Sequence, residues 1–430
     1  MVGNNNSFSK NLRKIGPKIG EKCKIPNSSF NRFKKRLFED KIDLNQMRLY
    51  RLNRVKNQLL KNDIGACILF DPINIRYATD TRNMSIFNMH VMSRYVFIAT
   101  NGPVILFEYP NCEHISYDIS TIDETRVATT WDHFSSGNNV NQNALQWSKI
   151  IDDLMKNHVS ENKNIAIDVC DPVGINCLKE NYNYNIFNAQ TYLELARSIK
   201  SEDELMCMNA SLNIAEKGIE LMHKKLHAGM TEEELWSYLH KTNIENSGEW
   251  IETRLLASGE RTNPWFQECS NKIIQKGELV AFDTDMVGPY GYCADISRTF
   301  VEGRKLNDKQ KKLHNLAYEN IKYNEQIIKP GVTFEEFARK AWQLPENCYD
   351  NHYPCQIHGI GMCDEWPYIA YPNSDYSNGD YSGIFEENMT ICIESYLGEV
   401  GGLEGVKLED QYLITKSGLK LLTKNPLDIT

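Results

Sequence analysis

Apolar positions along the chain change their period several times, and each change marks an element. Leu49, Leu52, Val55 and Leu59 recur at helical spacing and give way to Asn62-Asp63-Ile64-Gly65, which predicts a helix that stops there. The unbroken apolar run Ala66 to Phe70 predicts a buried strand. Arg94 to Ala99 and Val104 to Glu108 are β-rich runs around Asn101-Gly102, the commonest signal of a two-residue hairpin turn. A further helix precedes a strand at Ile165 to Val169, so this part reads as a mixed α/β domain. From Ser201 the texture turns to long helical periodicity, opened by Ser201 with Glu204 three residues on, the signature of a capping box. These changes divide the chain into an arm (1–40), an α/β domain (41–198) and a second domain (199–430). Within the second, Gly229-Met230-Thr231-Glu232-Glu233-Glu234-Leu235 recurs as Gly331-Val332-Thr333-Phe334-Glu335-Glu336-Phe337. Each copy predicts a turn glycine followed by a Thr-capped helix.

The bulk properties narrow the class. A chain of 430 residues exceeds what one core usually serves, which agrees with two domains. No stretch approaches the roughly 20 apolar residues a bilayer span needs, and the start is basic and Asn-rich rather than apolar, so a cytoplasmic location is expected, with no membrane partner. The twelve cysteines are scattered without a CxxC pair, which predicts free thiols rather than a disulfide framework. A formal charge of -9 disfavours nucleic acid as a partner. Lys and Arg cluster only in residues 10 to 36, where aromatic interleaving and helical period are both missing; this predicts a solvated or dimer-wrapping arm.

The chemistry concentrates in Leu279-Val280-Ala281-Phe282-Asp283-Thr284-Asp285, a strand-like run that abruptly carries two acids. If the strand continues, Asp283 and Asp285 share one face, and after the turn Gly288-Pro289-Tyr290-Gly291 a second strand, Tyr292 to Phe300, brings in Asp295. Glu394 and Glu409 also lie in apolar runs, where a solvated face would alternate with polar neighbours. His358 sits in Gln356-Ile357-His358-Gly359-Ile360-Gly361. Crowded buried acids must hold protons or share a cation, and oxygen-rich ligation with one imidazole suits manganese, iron, cobalt or zinc.

The segment from about Ser201 to Gly418 resembles the creatinase, prolidase and methionine aminopeptidase superfamily, through the Asp285 to Asp295 hairpin, His358-Gly359-Ile360-Gly361, Glu394 and Glu409-Asp410. The resemblance implies an α+β, pita-bread catalytic domain behind a creatinase-type N-terminal domain, the latter recognised at Asp71-Pro72-Ile73-Asn74-Ile75-Arg76-Tyr77-Ala78-Thr79. Peptidases of this kind carry a histidine seven residues beyond the metal histidine, where this chain has Glu365. They carry another on the loop before the first metal Asp, here Arg261-Thr262-Asn263-Pro264-Trp265-Phe266-Gln267-Glu268 without histidine. The chain is similar in both respects to the DddP-type dimethylsulfoniopropionate lyases, which cleave a sulfonium zwitterion to acrylate and dimethyl sulfide. That resemblance implies Asp283, Asp285, Asp295, His358, Glu394 and Glu409 as metal ligands, Asp364 as general base, Tyr353 as a second catalytic residue, iron as the metal in one or two ions, and a homodimer. Aromatic faces suit a sulfonium, which points to Trp265, Tyr353, Trp366 and Tyr368 beside the motifs, and the resemblance implies Phe87, from the segment Arg82 to Phe87 that this family brings toward the pocket, as a further substrate contact.

Two other readings compete. One is a hydrolase, either an Xaa-Pro aminopeptidase or prolidase or a creatinase-like enzyme, with Glu365 as proton shuttle. The other is a binding protein that kept the fold, against which stands the full set of mutually repelling acids.

Overall fold

The computed structural model describes residues 34–303, 305–372 and 381–427. Most of the basic arm lies outside the described residues. The chain forms two compact units, one holding Asp43–Arg197 and the other Arg36–Ile42 with Ser198–Thr430.

In the first unit the helix Leu44–Lys61 is capped by Asp43 and ends at Asn62, burying Met47, Leu52, Val55 and Leu59; Leu49 of the expected stripe faces solvent. Strands β1 (Ala66–Leu69), β2 (Tyr95–Ala99), β3 (Val104–Glu108), β4 (Glu124–Val127), β5 (Asn164–Ile167) and β6 (Asn185–Asn188) form one sheet in the order β4-β3-β2-β1-β5-β6. β2 and β3 are an antiparallel hairpin, but its turn is wider than two residues: Ala99 N–H donates to the Pro103 carbonyl across it. Phe70, Tyr95, Trp131 and Trp147 fill the core beneath the sheet. Asp71 caps the helix Pro72–Thr79 by accepting from the Ile73 and Asn74 N–H groups, with Pro72 in the first turn where no donor is lost.

The second unit opens with the helix Glu202–Lys225, and both halves of the Ser201/Glu204 capping box form. Both copies of the internal repeat fold alike: Gly229 and Gly331 have positive φ, and Thr231 and Thr333 cap the helices Glu232–Glu245 and Phe334–Lys340. Two three-stranded sheets follow. One is β7 (Trp250–Ile251), β10 (Met286–Val287) and β11 (Cys293–Ala294), with β10 central; the other is β8 (Leu256–Ser258), β9 (Leu279–Phe282) and β12 (Arg298–Val301), with β9 central. A five-stranded antiparallel sheet comprises β13 (Cys355–Ile360), β14 (Asp364–Ala370), β15 (Thr390–Gly398), β16 (Gly405–Thr415) and β17 (Gly418–Leu421), in the order β14-β13-β15-β16-β17. One apolar core joins the helices to these sheets, with Leu212, Leu235, Phe282, Phe300, Ile357, Ile393 and Leu408 among its members.

The expected long strand through the two aspartates is broken. β9 ends at Phe282, Asp285 adopts a positive φ of 34°, and Asp295 lies between β11 and β12. The physical reason is that the backbone bends out of the ladder on both sides of the hairpin, so Asp283 and Asp285 converge through this bend rather than through strand parity.

Each described cysteine is a free thiol. Among the described residues no helix is long and apolar enough to cross a membrane.

Gly359, at the irregularity between β13 and β14, has no room for a side chain, because an added Cβ would strike the Trp366 and Glu365 backbone carbonyls. Gly359→Ala is therefore expected to cost about 1–3 kcal/mol through overpacking. Denaturant unfolding of parent and variant checks this, and an unchanged midpoint would contradict the crowding.

Candidate metal centre

Strand register in the second unit assembles the site. Glu394 of β15 and Glu409 of β16 are direct cross-strand partners, and His358 of β13 lies opposite Cys392 of β15. The bent hairpin contributes Asp283, Asp285 and Asp295. All six predicted ligands are buried, and their donor atoms fall into overlapping groups: Asp283, Asp285 and Asp295; Asp283, Glu394 and Glu409; and Asp295, His358 and Glu409 together with Cys392.

The imidazole is held for ligation. His358 Nδ1 lies 2.9 Å from the Gly359 carbonyl, the partner of an Nδ1–H donor, which leaves Nε2 to accept a metal. Three carboxylate oxygens converge on Nε2: Glu409 Oε1 at 3.1 Å, Glu394 Oε1 at 3.4 Å and Asp295 Oδ2 at 3.5 Å. Asp283 Oδ1 and Asp295 Oδ1 are buried and meet no hydrogen-bond partner. Buried acceptors without donors are costly, and a cation among them removes the cost. The residues present therefore fit a divalent ion.

The electrostatics agree. Burial, reinforced by neighbouring carboxylates, pushes Asp285 and Asp295 well above the usual range. Burial takes Glu394 up to about 7, against the pull of Lys407. Glu409 runs the other way: burial would raise it, but Lys407 and His358 outweigh burial and hold it well below the usual range.

Lys407 is the functional residue that the sequence reading passed over. Its ammonium is fully buried inside the cluster, 2.8 Å from Glu394 Oε2, 3.0 Å from Asp283 Oδ2 and 3.2 Å from Glu409 Oε2. The signal was available, since Lys407 and Glu409 are two apart on one strand and so share a face.

Tyr353 lies with its ring centroid 4.4 Å from the Lys407 ammonium and stacks on Phe266 at 5.1 Å. Trp265 is buried beside Tyr396 and Ala281 in the same aromatic cluster, with Tyr353 against it. Asp364 begins β14, with its side chain 57% exposed and Oδ1 3.6 Å from His358 Nδ1. It stands at the rim of the cluster. Partial desolvation raises its pKa, His358 opposes that, and Glu409 and Asp283 add to it.

Two expected substrate contacts have other surroundings. Trp366 packs edge-on against Phe334 at the margin of the hydrophobic core. Phe87 belongs to the first unit, in the helix Ser85–His90, where it packs edge-on against Tyr109 and Phe134. Glu365 is not a mobile acid: its Oε2 pairs with Lys200 at 2.8 Å, both side chains are buried, and its Oε1 accepts the Met362 N–H.

A buried set of acids and one histidine on paired antiparallel strands defines a metalloenzyme class, and residues 206–416 match the metallopeptidase family M24, whose members use divalent metal ions. Within it, the chain belongs to the family of the dimethylsulfoniopropionate lyases DddP. It is 38% identical over 393 residues to DddP of Roseovarius nubinhibens, covering 90% of this chain and 87% of that protein. It is 36% identical over 397 residues to DddP of Roseobacter denitrificans, with the same coverage. The prolidase of Pyrococcus horikoshii shares the fold at a TM-score of 0.70 and 23% identity, covering 88% of this chain and 99% of that one. The α+β pita-bread architecture is thus common to both.

Metal entry must displace the protons that burial keeps on these carboxyls. With Glu394 raised to about 7, this carboxyl of the folded metal-free centre holds its proton below that pH and loses it above. Metal affinity is therefore expected to rise as pH climbs through neutrality, with proton release on binding. Calorimetry in buffers of different ionisation enthalpy measures the release, and binding with no proton release on the acid side of neutrality would contradict the charge arrangement.

Proposed function

We propose that this chain is a metal-dependent carbon–sulfur lyase that cleaves dimethylsulfoniopropionate to acrylate and dimethyl sulfide by base-catalysed β-elimination. The observation that carries the reading is the pairing of a buried ligand cluster with one half-exposed carboxylate, Asp364, at its rim. Membership of the DddP family supports it.

Asp283, Asp285, Asp295, His358, Glu394 and Glu409 hold the ion, which is iron in this reading and one or two in number. Bound there, a divalent cation supplies Lewis acidity toward the substrate carboxylate, easing carbanion character at the adjacent carbon. Asp364 removes the proton from that carbon. The electron pair forms the carbon–carbon double bond of acrylate as the carbon–sulfur bond breaks, and the sulfide leaves with the bonding electrons. The upward pull on the Asp364 pKa makes it a stronger base than a free aspartate. In this reading the sulfonium, which has no hydrogen-bond donors, is met by the aromatic cluster of Trp265, Phe266 and Tyr353, whose Tyr353 ring already carries Lys407. In this reading the enzyme works as a cytoplasmic homodimer.

A hydrolase needs a mobile proton carrier in place of the missing peptidase histidine. Glu365 occupies that position already committed to Lys200, which disfavours amide hydrolysis.

Asp364→Asn is expected to keep its fold and metal content while dimethyl sulfide release falls by about 10²- to 10⁴-fold. Headspace detection with metal-loaded protein and dimethylsulfoniopropionate reads this. Full release by the variant would remove Asp364 from the role, and no release by a metal-loaded parent would sink the substrate assignment.

A further inference from the structure

Glu232, in the first turn of the helix Glu232–Glu245, carries a fully buried carboxylate that the metal centre does not use. Its Oε1 accepts from the Ser258 N–H and hydroxyl, both at 2.8 Å. Its Oε2 accepts from the Ser270 N–H at 3.0 Å, the Ser270 hydroxyl at 2.8 Å and the Arg261 guanidinium. Ser258 and Ser270 are the two ends of the loop that holds Trp265 and Phe266, so one side chain closes that loop at its base. Arg261 carries the tie inward: its other terminal nitrogen donates to the Glu268 carbonyl at 2.8 Å, across the segment that presents both rings.

We infer that Glu232 is a positioning residue for the aromatic side of the site: acting through Arg261, it fixes loop 258–270 so that Phe266 stays stacked on Tyr353 and Trp265 stays packed against Tyr396. The clasp itself stands on the hydrogen bonds. Its consequence for substrate affinity rests on the lyase reading.

Two observations favour this role over that of a helix cap. The internal repeat places Phe334 where Glu232 stands, and that phenylalanine is also buried, packed against Trp366 and Phe385. A helix start of this kind therefore has no need of a carboxylate at the position, and Thr231 with Glu234 already forms the capping box. A buried acid costs desolvation that only its partners offset, and here every side-chain partner lies on 258–270. The second observation is Phe266, whose φ of 69° is unfavourable for a bulky side chain and whose ring is 54% exposed. Such a conformation persists only where the surrounding structure holds it, and it sets the ring on Tyr353 at 5.1 Å.

The test compares metal-loaded parent, Glu232→Gln and Arg261→Met by amide hydrogen exchange and by steady-state kinetics with dimethylsulfoniopropionate. The glutamine turns an amide N–H2 toward groups that are themselves donors, and the methionine removes the strut to Glu268. Both variants are expected to exchange faster in 259–269, with the strand Thr390–Gly398 unchanged. Both are also expected to raise KM about two- to thirtyfold, the range of a lost aromatic–cation contact, with kcat near the parent's. A merely structural role would lower the active fraction, and so kcat, at constant KM. Parent-like exchange in 259–269 overturns the clasp. Faster exchange with an unchanged KM, or a fall in kcat alone, overturns the positioning role. If Glu232→Gln does not fold, Arg261→Met decides by the same criteria. A metal-loaded parent that releases no dimethyl sulfide sinks the lyase reading and the affinity claim with it, while the exchange measurement still decides the clasp.

Discussion

Five carboxylates buried within a few ångströms of one another are the constraint around which the second unit is built. Water stabilises such charges, and removing it costs several kcal/mol per ion unless a counter-charge takes its place. The compensation here is layered. Lys407 offers one fixed positive charge, His358 contributes an oriented ring nitrogen, and the remaining orphan oxygens call for a divalent cation. The direct pairing of Glu394 with Glu409 across two strands would repel without that compensation, so strand register and cation binding support each other.

The same constraint explains where the backbone departs from regularity. Asp285 takes a positive φ, Asp295 sits between two short strands, and β13 pairs irregularly with β14 beside Gly359. These departures aim side chains at one point, a task that the alternating faces of a regular strand cannot perform for acids both one and two residues from the bend. Outside the cluster the second unit follows ordinary rules: capped helices, an antiparallel sheet and one continuous apolar core.

Function on this fold follows from the groups placed around the buried cluster. The chain shares its architecture with a prolidase, while Glu365 is committed to Lys200 and Phe266 stacks on Tyr353 beside the cluster. Asp364 remains the acid at the rim with access to solvent.

Much of this was legible in the sequence because it is written locally. The Ser201/Glu204 box, the two Gly-x-Thr helix starts and the buried runs around Glu394 and Glu409 each depend on neighbours within a few positions, and periodicity and capping chemistry report those directly. The five acids and one imidazole of the centre could be named for the same reason, since a charge in an apolar run is conspicuous. What depended on tertiary structure was every relation between distant segments. The pairing of Lys200 with Glu365, the packing of Trp366 on Phe334 and the meeting of Lys407 with Asp283 join residues far apart in the chain. Even the convergence of Asp283 with Asp285 came from a bend that strand parity does not predict. Local sequence fixes propensity and burial pattern; the choice of partner is made by register and by the cost of leaving a buried charge unmatched.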